Sequence, residues 1–252
     1  MILVLSGTED GREIVEKLLD KNYSVLATTA TEYGAKLLKT HPNLKVISKR
    51  LDKDDMKNII DKYNIKIIVD ATHPYAAEVS QNAIKAAKES NIKYFRFERK
   101  EISYENIDRF SSYEEVIKYL ENKEGNILLT TGSNNLDKFE NVNFKENLYV
   151  RVLPTSNVVK KCTDLGFLPK RILALQGPFS TDFNKAMYGF YNIKYIVTKD
   201  SGNIGGTNEK IQAALDMNIK VLLIDRPKID YPNKFCEVGE LVENIEKIEN
   251  PL

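Results

Sequence analysis

Short apolar runs alternate with helix-periodic stretches from one end of this chain to the other, and this alternation constrains the fold more than any single motif. The runs fall at 2–6, 24–28, 44–48, 66–70 and 93–97, and again at 127–131, 148–152, 171–175, 194–198 and 220–224. Between most of them apolar residues recur at helical spacing. Ile14, Val15, Leu18 and Leu19 make one stripe, and Ile59, Ile60 and Tyr63 belong to another. A strand that is apolar nearly throughout must be covered on both faces, and helices between strands cover it. The pattern therefore predicts an α/β protein with doubly wound parallel sheets. So many strands exceed what one such sheet usually holds, so two domains are expected. The polar stretch 99–112 is the natural linker, giving domains at 1–103 and 104–252. No repeat is legible at the level of residues.

Composition narrows the function classes. Of 252 residues 42% are apolar and 29% charged, which supports real cores and argues against disorder. With 37 basic and 36 acidic residues the net charge is +1, which argues against a general nucleic-acid binder. Cys162, Cys236, His41 and His73 show no paired-ligand spacing, so no metal site is expected. Both thiols are expected to be reduced core residues of a cytoplasmic protein. No apolar run reaches membrane-spanning length. Met1–Leu5 lacks the basic region and cleavage site of a signal peptide and is expected as a buried strand.

In open parallel sheets ligands bind beyond the carboxyl ends of the strands, so the residues following each run carry the chemistry. After the first comes Ser6-Gly7-Thr8-Glu9-Asp10-Gly11-Arg12, where two glycines four apart fit a tight turn and a close strand–helix approach. The helix start can hold a diphosphate there, and the alternative is a tight turn without a ligand. The second run ends in hydroxyls, Thr28 and Thr29, where an NAD site usually has a carboxylate, and Arg12 could reach the same region. NADPH is therefore expected over NADH. The fourth run leads through Asp70, a candidate anchor, into Ala71-Thr72-His73-Pro74-Tyr75. Pro74 is expected at the first position of the next helix, with His73 at its N-cap, as a functional group or as a cap alone. The second half carries Thr130-Thr131-Gly132-Ser133-Asn134, Gln176-Gly177-Pro178-Phe179-Ser180 and Thr198-Lys199-Asp200-Ser201-Gly202 through Gly205-Gly206 at the same kind of place. They mark a binding rim or three well-formed turns. No nucleophile elbow or Walker-type phosphate loop occurs. Tyr119 and Lys123 match the spacing of short-chain dehydrogenases but lie late in an amphipathic helix, and the match reads as coincidence.

These blocks, with Arg151-Val152-Leu153-Pro154 and Arg226-Pro227, resemble in order the precorrin-6A reductase family of cobalamin biosynthesis, which includes the cobalt-precorrin-6A reductases. One departure is Ser6, where the family more often has a second glycine. The resemblance implies two Rossmann-like domains with an inter-domain cleft, and NADPH-dependent reduction of a C=C bond of a corrin-ring precursor bearing many carboxylates. The candidate cofactor residues are Gly7, Thr8, Glu9, Asp10, Gly11, Arg12, Thr28, Thr29 and Thr72, and the candidate catalytic residues are His73 and Lys199. Tyr75, Gly132, Ser133, Gln176, Gly177, Pro178, Phe179, Ser201 and Gly202 are assigned to the substrate. Residues 199–206 are expected to form a flap that closes on substrate carboxylates. Any cobalt would belong to the substrate, and the lysine-, asparagine- and isoleucine-rich composition favours the cobalt-bearing route. A non-catalytic NADP-binding redox sensor and a nucleotide-independent two-domain tetrapyrrole enzyme are the competing readings.

Overall fold

The structure, a computed structural model, describes residues 1–101, 103–200 and 206–249. The chain forms two compact units, Met1–Lys100 with the segment from Pro227 onward, and Glu101–Arg226. Each is built on an all-parallel six-stranded sheet.

In the first unit β1 (Ile2–Leu5), β2 (Val25–Thr29), β3 (Leu44–Ser48), β4 (Ile67–Asp70) and β5 (Lys93–Phe97) alternate with α1 (Glu9–Asp20), α2 (Glu32–Lys36), α3 (Lys53–Tyr63) and α4 (Ala77–Glu89). The strand order β3-β2-β1-β4-β5 reverses direction between β1 and β4, the place where doubly wound sheets bind ligands. Alternate residues feed opposite cores. Ile2, Val4, Val25, Ala27, Ile67 and Val69 meet the Ile14–Leu19 stripe of α1. Leu3, Leu5, Leu26 and Ile68 meet Met56, Ile59 and Ile60 of α3 and Ala83, Ala86 and Ala87 of α4.

The second unit contains β6 (Asp108–Phe110), β7 (Asn126–Leu129), β8 (Leu148–Val152), β9 (Ile172–Ala174), β10 (Ile193–Lys199) and β11 (Lys220–Ile224). Its helices are α5 (Tyr113–Leu120), α6 (Ser156–Asp164), α7 (Thr181–Phe190) and α8 (Thr207–Asp216). Its order, β9-β8-β7-β10-β11-β6, repeats that of the first sheet. Leu128, Leu173, Ile196, Val221 and Leu223 pack against Met187 and Tyr188 of α7 and Ile211, Ala213 and Ala214 of α8.

The division between the units falls at Lys100 and Glu101, where 103 and 104 were expected, and the second unit ends at Arg226 where 104–252 was expected. The chain returns at Pro227, adds β12 (Lys234–Phe235) beside β5, and lays α9 (Val238–Glu249) on the first unit. Val238, Leu241, Val242 and Ile245 complete the core around α1. The missed sixth strands, β6 and β12, have three and two residues, too few for a periodicity, and β6 lies inside the stretch read as linker. Cys162 is buried as expected, whereas Cys236 is partly exposed. Among the described residues no helix is long and apolar enough to cross a membrane, and no cluster of metal-ligating side chains occurs.

Gly11 fixes the approach of α1 to β1, because a Cβ there would lie 2.7 Å from the Ser6 Cα, whereas one at Gly7 would meet no heavy atom within 4 Å. Gly11→Ala should therefore cost about 1–3 kcal/mol, read as a lower urea midpoint, and Gly7→Ala should stay within about 0.5 kcal/mol of the parent. Equal midpoints for the two variants would refute this account of the turn.

Candidate functional site

At the first sheet's carboxyl end, the glycine turn and the β4 turn are tied together by one hydroxyl. Thr8 is the N-cap of α1, and its Oγ1 accepts the Gly11 N–H at 3.1 Å while donating to the Ala71 carbonyl at 2.8 Å. Asp10 would burden an anion site with negative charge, but Arg99 pairs with it at 2.7 Å. Gly7 and Glu9 are exposed. Arg12 folds back on its own turn, Nη1 donating to the Thr8 carbonyl at 3.4 Å. Ser6, the departure from the family pattern, is buried and donates to the Thr28 carbonyl at 3.4 Å. Thr28 and Thr29 are both buried, and the Thr29 hydroxyl donates to the Thr31 carbonyl at 2.9 Å. The exposed positions beyond β2 are instead Ala30 and Thr31.

Asp70 anchors the β4 turn. Its Oδ1 accepts from the Thr72 N–H at 3.0 Å, the Thr72 hydroxyl at 2.7 Å and Arg96 Nη1 at 2.9 Å; Oδ2 accepts from the Tyr94 hydroxyl at 2.7 Å. Asp70 and Arg96 are both fully buried. Burial opposes the charge on Arg96, but the neighbouring Asp70, with Tyr231 and Glu98, outweighs it and holds the guanidinium above its ordinary value. The Thr72 hydroxyl, expected at the cofactor, is thus engaged inward with Asp70 and Arg96. His73 is not the N-cap of α4 and Pro74 does not open that helix. The cap is Ala76, and residues 73–76 form a turn closed by the Ala76 N–H on the His73 carbonyl at 2.8 Å. Pro74, with its fixed φ, takes the second position of that turn, which proline favours, and not the first position of the helix. His73 is exposed, and its Nδ1 accepts the Tyr75 N–H at 3.3 Å, which puts the proton of a neutral imidazole on Nε2.

The second sheet brings together the ends of β7, β8, β9 and β10. Gly132, at φ +77°, turns the chain after β7, with Ser133 beside it. Lys199 is the last residue of β10, its amine 5.7 Å from the centroid of the Tyr113 ring, and burial pushes that amine below its ordinary value. Asp200 is buried and pairs with Arg226 at 3.2 Å, so the base of the expected flap is fixed. Ser201 and Gly202 lie outside the described residues, as does the rest of the flap to residue 205. Gln176, Gly177 and Pro178 are exposed beyond β9, and Phe179 stacks on Phe183 at 4.8 Å. Tyr119 and Lys123 lie at the opposite end of the sheet, beside the amino ends of β7 and β10, away from these turns.

Sequence reasoning missed a buried polar layer beneath this rim. Arg151 Nη1 donates to Asn184 Oδ1 at 2.7 Å, and the Tyr188 hydroxyl reaches the same oxygen at 3.3 Å. Lys210, only 6% exposed, donates to Thr198 Oγ1 at 3.1 Å. A lysine at the fourth position of a helix reads as surface, and only its spacing from Ile211, Ala213 and Ala214 shows that it faces inward. Burial first, then the charge of Arg151, push the Lys210 amine down to about 7. An unfolded lysine titrates near about 10.4, so between these values the unfolded chain holds more protons and stability rises with pH. Lys210→Met removes this penalty. Its unfolding free energy from urea titration should exceed the parent's at about pH 7 by on the order of 2–4 kcal/mol, and the gap should narrow toward about pH 10. A gap independent of pH would show that the amine is not held below its free value.

A family model described as precorrin-6x reductase CbiJ/CobK matches residues 1–247. The chain is 43% identical over 252 residues to the cobalt-precorrin-6A reductase of Methanocaldococcus jannaschii, covering 98% of this chain and 99% of that protein. It is 39% identical over 247 residues to the cobalt-precorrin-6A reductase of Priestia megaterium, covering 96% of each. A solved structure described as CobK precorrin-6A reductase superposes with a TM-score of 0.81 over 98% of this chain and 96% of that one, and at 20% identity this likeness bears on the fold. The order of turns along the chain, the paired parallel sheets and a match over nearly the full length agree: the chain belongs to the precorrin-6x reductase CbiJ/CobK family.

Proposed function

We propose that this protein is an NADPH-dependent reductase that converts cobalt-precorrin-6A to its dihydro (6B) form in cobalamin biosynthesis, acting in the cytoplasm. The observation that carries the reading is the β1–α1 turn at the sheet's reversal point. There Gly11 admits close strand–helix packing, Gly7 is open to a ligand, and Arg99 offsets Asp10. These residues fit a dinucleotide diphosphate at a helix N-terminus. Both named relatives are cobalt-precorrin-6A reductases, which favours the cobalt-bearing substrate.

NADPH supplies the hydride, and the protein supplies binding, orientation and electrostatics. The N-terminal N–H groups of α1 hold the diphosphate. β2 ends in Thr28 and Thr29, Ala30 and Thr31 follow, and the first carboxylate is Glu32 in the first turn of α2. With no acid at the strand end, a ribose 2′-phosphate is accepted. The Asp70–Arg96 pair fixes the turn that presents His73, whose Nε2–H donates a hydrogen bond at the reacting centre and steers a proton. In the second unit Lys199 pairs with a substrate carboxylate, which restores the charge that burial disfavours. Gly132, Ser133, Gln176, Gly177, Pro178 and Phe179 are the second unit's candidates for the substrate, and Tyr75 is the first unit's. A redox sensor of the same fold would bind NADPH without turnover. A nucleotide-independent tetrapyrrole enzyme would not bind it at all.

Anaerobic incubation with NADPH and precorrin-6A, with and without cobalt, tests the activity directly, and absence of NADPH oxidation with either form would refute it. Cofactor preference is tested at Ala30, since Thr29 is buried and its hydroxyl is occupied. Ala30→Asp should cut the NADPH:NADH affinity ratio by about tenfold or more, the worth of one charged contact, measured by NADPH fluorescence. An unmodified protein with equal affinity for both nucleotides would overturn the preference. His73→Ala should slow hydride transfer by about ten- to a thousandfold with the fold intact. Lys199→Ala should instead raise the corrinoid KM while barely moving NADPH affinity, and the reverse pattern would assign Lys199 to the cofactor.

A further inference from the structure

The two sheets each carry an arginine beneath the carboxyl-end turns, and the two are neutralised differently. Arg96 sits against Asp70 at 2.9 Å, and its guanidinium is held above its ordinary value. Arg151, on β8 of the second sheet, has among the described residues the neutral Asn184 and Tyr188 as hydrogen-bond partners. Among the described residues no carboxylate lies within ion-pair distance of Arg151 or of its neighbour Lys210. Glu209 attracts Lys210 from a distance, and its buried Oε2 bonds to neither cation. Burial accordingly pushes Arg151 below its ordinary value, the opposite of Arg96. Arg151 and the Lys210 amine thus share one largely buried site with no carboxylate paired to either among the described residues.

The surface above this site is apolar. The Phe179 ring lies over the Arg151 guanidinium at 5.1 Å and stacks on Phe183, tilted by 15°. Leu153 and Leu175 follow the adjacent strands β8 and β9, whose ends are joined by the Leu175 N–H on the Val152 carbonyl at 2.9 Å. Leu153 is 54% exposed, Phe183 44% and Leu175 40%. A guanidinium stacked on a ring keeps its edge for a planar carboxylate, which it can meet in bidentate fashion. Flat apolar side chains beside an uncompensated cation match a flat ring system with acid groups on its edge. They match neither a simple anion nor a simple apolar ligand.

Resting on the reductase reading, we infer that Arg151, Phe179, Phe183, Leu153 and Leu175 form a subsite for one acid-bearing edge of the macrocyclic substrate. Arg151 takes a side-chain carboxylate and the apolar rim takes the ring edge. Nothing covalent happens here. The subsite holds and orients the macrocycle, so its loss should appear in substrate affinity and not in nucleotide affinity.

The full chain carrying Arg151→Lys, and separately Phe183→Ala, should show a corrinoid KM at least about tenfold higher with NADPH Kd within about twofold, since a bidentate charged contact or a buried aromatic contributes on that scale. Raising the salt concentration should increase the parent's corrinoid KM and move that of Arg151→Met less. Phe183 is exposed, so Phe183→Ala reports even where an Arg151 variant folds poorly. Binding of uroporphyrin III, a ring with carboxylates on its edge, followed by its visible absorbance, separates this inference from the reductase reading. If the unmodified chain reduces no precorrin, the reductase reading fails, and weaker uroporphyrin III binding in both variants still supports the subsite. Corrinoid KM unchanged in folded Arg151→Lys and Phe183→Ala overturns it, as does unchanged uroporphyrin III affinity where turnover is absent.

Discussion

The carboxyl end of the first sheet depends on one buried ion pair, Asp70 with Arg96. Removing either partner would leave a charge buried alone, at a cost of about 3–5 kcal/mol, so the pair has to be kept or lost together. Asp70 satisfies four donors with two oxygens, from Thr72, Tyr94 and Arg96. Two of these donors belong to the turn itself and two to the neighbouring strand β5. The β4 turn therefore has its shape before any ligand arrives, and Thr8 passes that shape to the glycine turn through the Ala71 carbonyl. Preorganisation of this kind matters where a nicotinamide ring must be held in one orientation, because a small misplacement costs rate steeply.

The same pair explains why the chain comes back to the first unit. Tyr231 lays its ring 5.0 Å from the Arg96 guanidinium, the Asn233 carbonyl accepts the Arg96 N–H at 2.8 Å, and Lys234 pairs with Glu98 at 2.7 Å. The returning segment thus closes over a buried charge that would otherwise face water at the sheet edge. In each sheet the sixth strand lies outside the run of alternating strands and helices: β6 precedes the other strands of its unit, and β12 follows the whole second unit. An unpaired sheet edge is a liability, and both sheets end in a very short, partly polar strand.

The legible and illegible parts of the sequence divide along physical lines. Ten strands announced themselves because each buries four or more nearly consecutive residues or is bounded by clear turns, and their order along the chain implies parallel pairing. The Gly7–Gly11 spacing was legible because close packing leaves one residue type at Gly11. What was not legible depends on contacts distant in sequence. Lys210 and Arg151 look like ordinary surface charges until α8 and β8 are placed together. Pro74 suggested a helix start, yet proline serves equally at the second position of a turn, and the 73–76 turn closed by Ala76 on His73 delays the helix to Ala77. The topological repeat was hidden because corresponding strands share burial and position and no residue pattern, so only the sheet order reveals it.

Charge placement finally reconciles a nearly neutral chain with a polyanionic substrate. A net charge of +1 produces no useful long-range attraction, so recognition must come from cations at the rim, where desolvation strengthens each contact. In the first unit Asp70 offsets Arg96 and Asp10 offsets Arg99, while Arg12 rests on the Thr8 carbonyl. The second unit pairs Arg226 with Asp200 and, among the described residues, leaves Arg151 and Lys210 without a carboxylate partner. A cation already paired inside the protein has little left for a ligand, whereas one buried without an acid gains most when a carboxylate arrives. On the proposed function, this uneven pairing would give the two units different roles: the first would offer a preorganised turn to a nucleotide, and the second would keep Arg151 for an acid group of the ring.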